Sequence, residues 1–220
     1  MSISLYGYWR SSAAYRVRIC LNLKGLAYQS LPVHLIKNGG EQHTARFHQM
    51  NPCELVPVLV DGDMTLSQSL AIIQYLDDTY ADHPVLPRQG ALRYQALALA
   101  QDIACEIHPL NNLRVLQYLE GTLHCDQESK LDWIHHWLKA GFDALEEKLS
   151  VHRSQMGDCC YAVTDAPGVV DICLVPQAYN AVRFGFDMAD FPIIQSIVDA
   201  CNELGAFRAA MPELQADAMV

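Results

Sequence analysis

The stretch ELVPVLVDGDMTLSQSLAIIQYL, residues 54–76, decides how the first third of the chain folds. Its first half, LVPVLVDGDMTLS, reads as two short apolar strands joined at Asp61-Gly62, a dipeptide suited to a tight hairpin turn. Its second half, running on as SLAIIQYLDDTY, has the spacing of an amphipathic helix. Pro57 interrupts the strand reading, because proline cannot donate to a ladder; it implies either an edge strand or a cis peptide. At the strand-to-helix junction Ser67 or Ser69 can cap the helix, while Gln68 offers an amide that capping does not explain.

Upstream, ISLYGYW reads as a strand, and residues 12–24 as a helix whose apolar face carries Ala14, Val17 and Leu21 and which Gly25 closes. YQSLPVHL reads as the next strand. The order β-α-β followed by β-β-α is that of a small mixed sheet with helices packed on it. Downstream, ADHPVLPRQG reads as a linker. Helical periodicity then dominates residues 91–119, 129–149, 169–184 and 192–204. The expected division is residues 1–81, a linker over 82–90, and an all-helical domain over 91–220.

A formal charge of −10 argues against a non-specific nucleic-acid or anionic-membrane binder, and leaves an anionic ligand needing a local basic pocket. No apolar run approaches a membrane span, and MSISLYGYWR lacks the form of a secretion signal. The eight cysteines contain no C-x-x-C pair, and Cys159-Cys160 is ill suited to zinc or an ordinary disulfide. Reduced thiols in a cytoplasmic protein are expected.

Ser11 and Ser12 stand at a strand-to-helix junction, where unpaired N–H groups and the positive helix end favour an anion. Taken locally they read as an N-cap worth about 1 kcal/mol, and Arg10, Arg16 and Arg18 nearby raise the functional reading only modestly. His108 and Asn112 are four apart and expected to share a helix face kinked by Pro109; a structural hydrogen-bonded pair is the default reading. Arg114 is expected to point elsewhere unless the kink redirects it. Asp132, His135 and His136 have helical spacing but no third strong ligand, so a solvated face and no metal are expected. Asp171 falls in the first turn of a helix, where it can accept backbone N–H groups.

Taken together, RSSAAYRVRICLNLKG, NPCELVPVL, QSLAIIQYL and DIACEIHPLNNLRVLQYL resemble, in order, motifs of the zeta class of soluble glutathione transferases. The resemblance covers essentially the whole chain. It implies an α+β thioredoxin-like N-terminal domain plus an all-α C-terminal domain, acting as a homodimer with glutathione as cofactor. The implied activity is glutathione-dependent cis–trans isomerisation of maleylacetoacetate to fumarylacetoacetate, by reversible thiolate addition to the maleyl double bond. Maleylpyruvate isomerisation and general glutathione conjugation stay open as alternatives, as does the choice between tyrosine and gentisate degradation.

By position, the resemblance implies Ser11 as hydroxyl donor to the glutathione sulfur, with Ser12 beside it. It implies backbone pairing at Val56, a γ-glutamyl carboxylate site at Gln68 and Ser69, and a glycyl site at Gln42. His108 and Asn112 are implied to touch glutathione or line the substrate cleft. Arg183 is implied as a catalytic carboxylate binder, with Arg10 and Arg114 as further substrate-binding residues. Ala13 stands where relatives often carry cysteine, Tyr15 replaces a tryptophan, and Gly168 stands where a Ser or Thr cap is common.

Overall fold

The computed structural model describes residues 3–218. The chain divides into two compact units: one combines the chain up to Leu86 with the segment from Asn202 onward, and the other is Pro87–Cys201.

The first unit contains β1 (Ile3–Gly7), α1 (Ser12–Leu23), β2 (Tyr28–Pro32), α2 (Ala45–Met50), β3 (Val58–Asp61), β4 (Met64–Ser67) and α3 (Ser69–Thr79). The strand order is β2-β1-β3-β4, with β1 parallel to β2 and antiparallel to β3. The expected hairpin is present one residue further on: Asp61 is still in the strand and pairs with Met64, so the two-residue turn is Gly62-Asp63, with Gly62 at φ 58°. Leu5, Leu59, Ile19, Ile72 and Ile73 are fully buried and form the apolar centre. Gly25, at φ 65°, ends α1, and the Leu26 N–H then returns to the Leu21 carbonyl at 2.9 Å. The Asp61 carboxylate accepts from Tyr75 at 3.0 Å and Tyr80 at 2.6 Å, tying the hairpin to α3. That hydrogen bond pushes the Tyr80 hydroxyl up to about 12.

A buried ion pair holds the far end of the same two helices. Lys24 Nζ lies 3.2 Å from Asp77 Oδ1, both side chains are fully buried, and Lys24 also donates to the carbonyls of Asp82 and His83. Asp77 Oδ1 accepts the Val85 N–H at 2.8 Å, so residues 82–85 are pinned to the α1–α3 pair.

The second unit is built from α4 (Ala91–Gln101), α5 (Leu113–Gly121), α6 (Gln127–Met156), α7 (Val169–Arg183) and α8 (Pro192–Asn202, whose last residue falls to the first unit). Two corrections to the sequence reading follow. Residues 91–119 are not one kinked helix: a π-helical turn, Asp102–Ile107, and a 3₁₀ turn, His108–Asn111, separate α4 from α5. Nor does the helical unit run to residue 220. Residues from Asn202 onward, including α9 (Gly205–Ala210), group with the first unit, where Arg18 Nε donates to the Ala210 carbonyl and Asn22 Nδ2 to that of Ala206.

At the start of α7, Gly168 supplies no side-chain cap, yet the start is not left bare. Asp171, fully buried, accepts the Gly168 N–H through Oδ2 and the Ala162 N–H through Oδ1, each at 2.8 Å. Burial pushes this carboxyl up to about 6, against the opposing pull of those backbone donors. A carboxyl raised on folding stabilises most below its unfolded value near 4, and that contribution is lost as pH rises through about 6. Asp171→Asn places an amide N–H against a backbone donor and is expected to cost about 1–3 kcal/mol. Denaturant titrations of both proteins from pH 4 to 7 check this: the variant should lack the fall in stability that Asp171 contributes across that window.

Candidate active site

The site in the first unit is built on the starts of α1 and α3. Ser11 is the N-cap of α1, with φ −67° and ψ 117°, and its Oγ accepts the Ala14 N–H at 3.2 Å. A hydroxyl has one donor and two acceptor positions, so capping uses an acceptor and leaves the Ser11 O–H to donate. Helix geometry gives the Ala13 N–H no acceptor within α1, so the same helix start presents a backbone donor. Ser12 is the first residue of the helix proper, 7% exposed and already engaged with a neighbour. The two serines are therefore not equivalent: Ser11 is the half-buried capping hydroxyl, and Ser12 is packed.

The three arginines also separate. Arg10 remains beside Ser11, its guanidinium 4.6 Å from the centre of the Trp9 ring. Arg18 is buried and donates to the carbonyls of Trp9 and Ala210, so it is a strut of the fold. Arg16, 1% exposed, donates through Nη1 to Ser69 Oγ at 3.3 Å and so joins α1 to the first residue of α3.

At α3 the sequence reading needs correcting: neither Ser67 nor Ser69 is the cap. Gln68 occupies the N-cap position with φ 71° and ψ 111°, makes no side-chain capping bond, and its carbonyl accepts the Ile72 N–H. A non-glycine residue held at such a φ costs about 1–3 kcal/mol, and such strain clusters at ligand sites. The exposed Gln68 amide and the α3 N-terminus thus stand together without the usual Ser or Asp carboxylate-like cap between them.

Val56 precedes a cis peptide bond to Pro57, which resolves the two readings of that proline; β3 begins only at Val58. Asn51, buried, staples the approach: its Nδ2 donates to the Leu55 carbonyl at 2.8 Å and its Oδ1 accepts the Cys53 N–H at 3.2 Å. Gln42 is 6% exposed and sits in a slot that Gly40, at φ 103°, leaves open; a Cβ there would meet the Gln42 amide nitrogen at 2.4 Å. Gln42 Nε2 donates to the Leu35 carbonyl at 3.3 Å, while its Oε1 is buried without a hydrogen-bond partner.

In the second unit, Asn112 does not share a helix face with His108. It is the N-cap of α5, accepting the Arg114 N–H at 3.3 Å, because the turn through Pro109 breaks the helix first. The two side chains still meet, Asn112 Nδ2 lying 3.4 Å from His108 Nε2. Trp133 Nε1 donates to the Leu110 carbonyl at 2.7 Å and holds that turn against α6. Arg114 follows its cap into the first turn of α5. Arg183, in the last turn of α7, stacks over Phe184 at 4.1 Å and donates to Asn180 Oδ1 at 2.9 Å; Asn180 in turn donates to Asn111 Oδ1 at 3.3 Å. Asp132, His135 and His136 line an open groove of about 760 Å³ with Phe186 and Phe191, and His135 Nε2 donates to the Phe184 carbonyl.

Residues 1–78 match the family model for the glutathione S-transferase N-terminal domain. The whole chain is 56% identical to a probable maleylacetoacetate isomerase of Vibrio cholerae over 218 residues, 99% of both chains. A solved holo maleylpyruvate isomerase, described as a bacterial zeta-class glutathione S-transferase, superposes with TM-score 0.93 at 41% identity, covering 98% of this chain and 100% of that one. The chain belongs to the zeta class of glutathione transferases. A maleylacetoacetate isomerase from Methylobacterium extorquens, solved with malonate and glutathione bound, superposes with TM-score 0.92 at 37% identity over 99% of this chain and all of that one.

Membership explains why the four motifs occur in order, and the strained Gln68 backbone can be tested directly. Gln68→Gly removes the Cβ that makes φ 71° costly, partly offset by the greater freedom of unfolded glycine. The expected net stabilisation is about 1 kcal/mol, checked by the chemical-denaturation midpoint of the variant.

Proposed function

We propose that this protein is a glutathione-dependent cis–trans isomerase acting on a maleyl dicarboxylate, with maleylacetoacetate ahead of maleylpyruvate as substrate. The observation that carries this reading is Ser11: capping Ala14 uses one acceptor position of its Oγ and leaves the hydroxyl proton to donate at the helix start. The residues present fit glutathione. Ser11 is the donor to its sulfur, Val56 offers its backbone, Gln68 and Ser69 stand at the α3 start for a carboxylate, and Gln42 has its own slot for the glycyl end. Bound glutathione supplies a reversible nucleophile for the maleyl double bond and is returned unconsumed.

The chain's own task is to favour the thiolate. An unperturbed thiol titrates near ~8.5, and lowering that by about 2 units requires roughly 2.7 kcal/mol of preference for the charged form. One hydroxyl bond to an anion contributes about 1.5–3 kcal/mol, and a helix N-terminus about 0.3–1 kcal/mol or somewhat more when partly buried. The sum reaches the requirement without a cysteine at Ala13. Arg183 is proposed to bind a substrate carboxylate, its plane set by Phe184 and Asn180; His108 and Asn112 are proposed as glutathione contacts, and Arg10 and Arg114 as further carboxylate binders. Ser12 is proposed as a packing residue beside the donor.

The finer assignments rest on the family: a homodimer, and a cytoplasmic location that suits eight free cysteines, three of them exposed. Sedimentation at working concentration reads the first directly.

Assays with purified maleylacetoacetate and maleylpyruvate, following both fumaryl product and free glutathione, test the reading. Product should form at constant glutathione; stoichiometric glutathione loss would establish a conjugating transferase instead, and turnover of neither substrate would end the isomerase assignment. Ser11→Ala is expected to lower kcat/KM by about 10- to 150-fold, the loss of one charge-assisted hydrogen bond, and Ser12→Ala by much less. Arg183→Lys keeps the charge but not the planar fork, and should raise KM for the dicarboxylate by about 10-fold while leaving KM for glutathione unchanged. Steady-state kinetics with each substrate varied in turn check both.

A further inference from the structure

Behind Gln42 lies a chain of side chains that the resemblance does not assign. Gln42 Nε2 lies 2.9 Å from His43 Nε2 as well as 3.3 Å from the Leu35 carbonyl. A carbonyl oxygen only accepts, so the Leu35 contact identifies the Gln42 atom as the amide nitrogen. His43 Nε2 must then be the acceptor of the second amide hydrogen, and the ring proton sits on Nδ1, which donates to Glu54 Oε2 at 2.5 Å. Glu54 Oε1 accepts from His48 Nδ1 at 2.9 Å. Hydrogen bonds from His43 and then His48 hold the Glu54 carboxyl below the usual carboxylate range, so it remains an anionic acceptor. In this arrangement both amide hydrogens of Gln42 are occupied, and its one unpartnered atom, buried, is an acceptor oxygen. A carboxylate needs a donor there.

We propose that His43 is a positioning residue that decides which polarity Gln42 offers to the glycyl carboxylate of glutathione, and that its protonated form is the one that favours binding. A protonated ring carries hydrogen on Nε2 and can no longer accept. The Gln42 amide must then turn over, giving Oε1 to His43 and freeing Nε2 as a donor in the same slot, at the cost of the Leu35 bond. Gly40 lacks the Cβ that would crowd the amide in either orientation. Glu54 stabilises the imidazolium that results, and the added positive charge attracts the carboxylate, so both effects have one sign.

The other titratable side chains hydrogen-bonded in this segment are His48, Glu41 and His34, of which His34 Nε2 is buried without a partner. His48 shares Glu54; Glu41 Oε2 accepts the His34 N–H at 2.7 Å; and His34 Nδ1 accepts the N–H groups of Ile36 and Lys37. His43 is half-exposed and can exchange its proton with solvent.

The inference rests on the reading of Gln42 as the glycyl contact, and the test separates the two. The probes are S-methylglutathione, which has no thiol to titrate, and its glycyl-amide counterpart, which has no terminal carboxylate. Calorimetric affinities are taken from about pH 5.5 to 8. Affinity for S-methylglutathione should rise about 3- to 10-fold as pH falls through that range, and affinity for the amide should not rise. His43→Gln keeps a neutral hydrogen-bonding group at the ring's ε position and should abolish the slope while retaining binding. A flat wild-type profile, an equal rise for the amide, or a slope that survives in His43→Gln overturns the role of His43. Unchanged S-methylglutathione affinity in a folded Gln42→Ala variant overturns the glycyl contact itself, and the proposal with it.

Discussion

The guanidinium of Arg16 is the constraint on which the first unit turns. It is buried, it belongs to the second turn of α1, and it donates to the hydroxyl of Ser69 at the first position of α3. A buried guanidinium is costly to leave without acceptors, so its Nη1 bond to Ser69 ties the start of α3 to α1. The consequence is functional: the starts of two helices, each with unpaired N–H groups and a positive end, are tied together by a residue belonging to neither start's cap. Arg18 does the equivalent on the other side, holding the Trp9 carbonyl and the carbonyl of Ala210 in α9.

The same pair of helices is clamped again at the opposite end by Lys24 and Asp77. Gln68, with its unfavourable backbone, lies directly before the helix that these two attachments hold. α3 is held at Ser69 by Arg16 and at Asp77 by Lys24. Strain persists only where the surroundings over-determine it. Lys24 also anchors residues 82–83 and Asp77 anchors Val85, so the segment leaving α3 is ordered by the ion pair that holds the helix.

Local chemistry made much of this legible. The Asp61-Gly62 hairpin, the Gly25 helix stop, the Ser11 cap and the first-turn role of Asp171 all depend on residues a few positions apart, and the spacing alone shows them. What was not legible depends on partners distant in the chain. Arg16 and Arg18 read as site charge because nothing in RSSAAYRVRICLNLKG announces Ser69 or Ala210. Gln68 does not read as a cap, because a positive φ is not a preference of glutamine and nothing in the local sequence announces it. The helix expected through His108 and Asn112 failed for a nearer reason: the turn through Pro109 lets Asn112 act as a cap, a role asparagine prefers to a helix interior. His43 and Glu54, eleven residues apart with no motif between them, carried no signal that a linear reading could find.

An acidic protein that binds anions must concentrate positive potential without many free cations, and the separation of the arginines shows how this one does it. With Arg16 and Arg18 committed to the interior, only Arg10 of the three contributes a half-exposed charge at Ser11, and it is stacked on Trp9. Oriented dipoles stand at the same place: the α1 and α3 starts and the Ser11 hydroxyl. Dipoles of this kind are fixed by the fold, carry no net charge, and lose less to ionic screening than a mobile lysine would, because their partners are in contact. They also bind through directed N–H and O–H groups, which select a thiolate or carboxylate by geometry where a diffuse basic surface would accept any anion. That distinction reconciles a net charge of −10 with the anionic ligand proposed for the first unit, whose binding would then depend on helix ends more than on charge count.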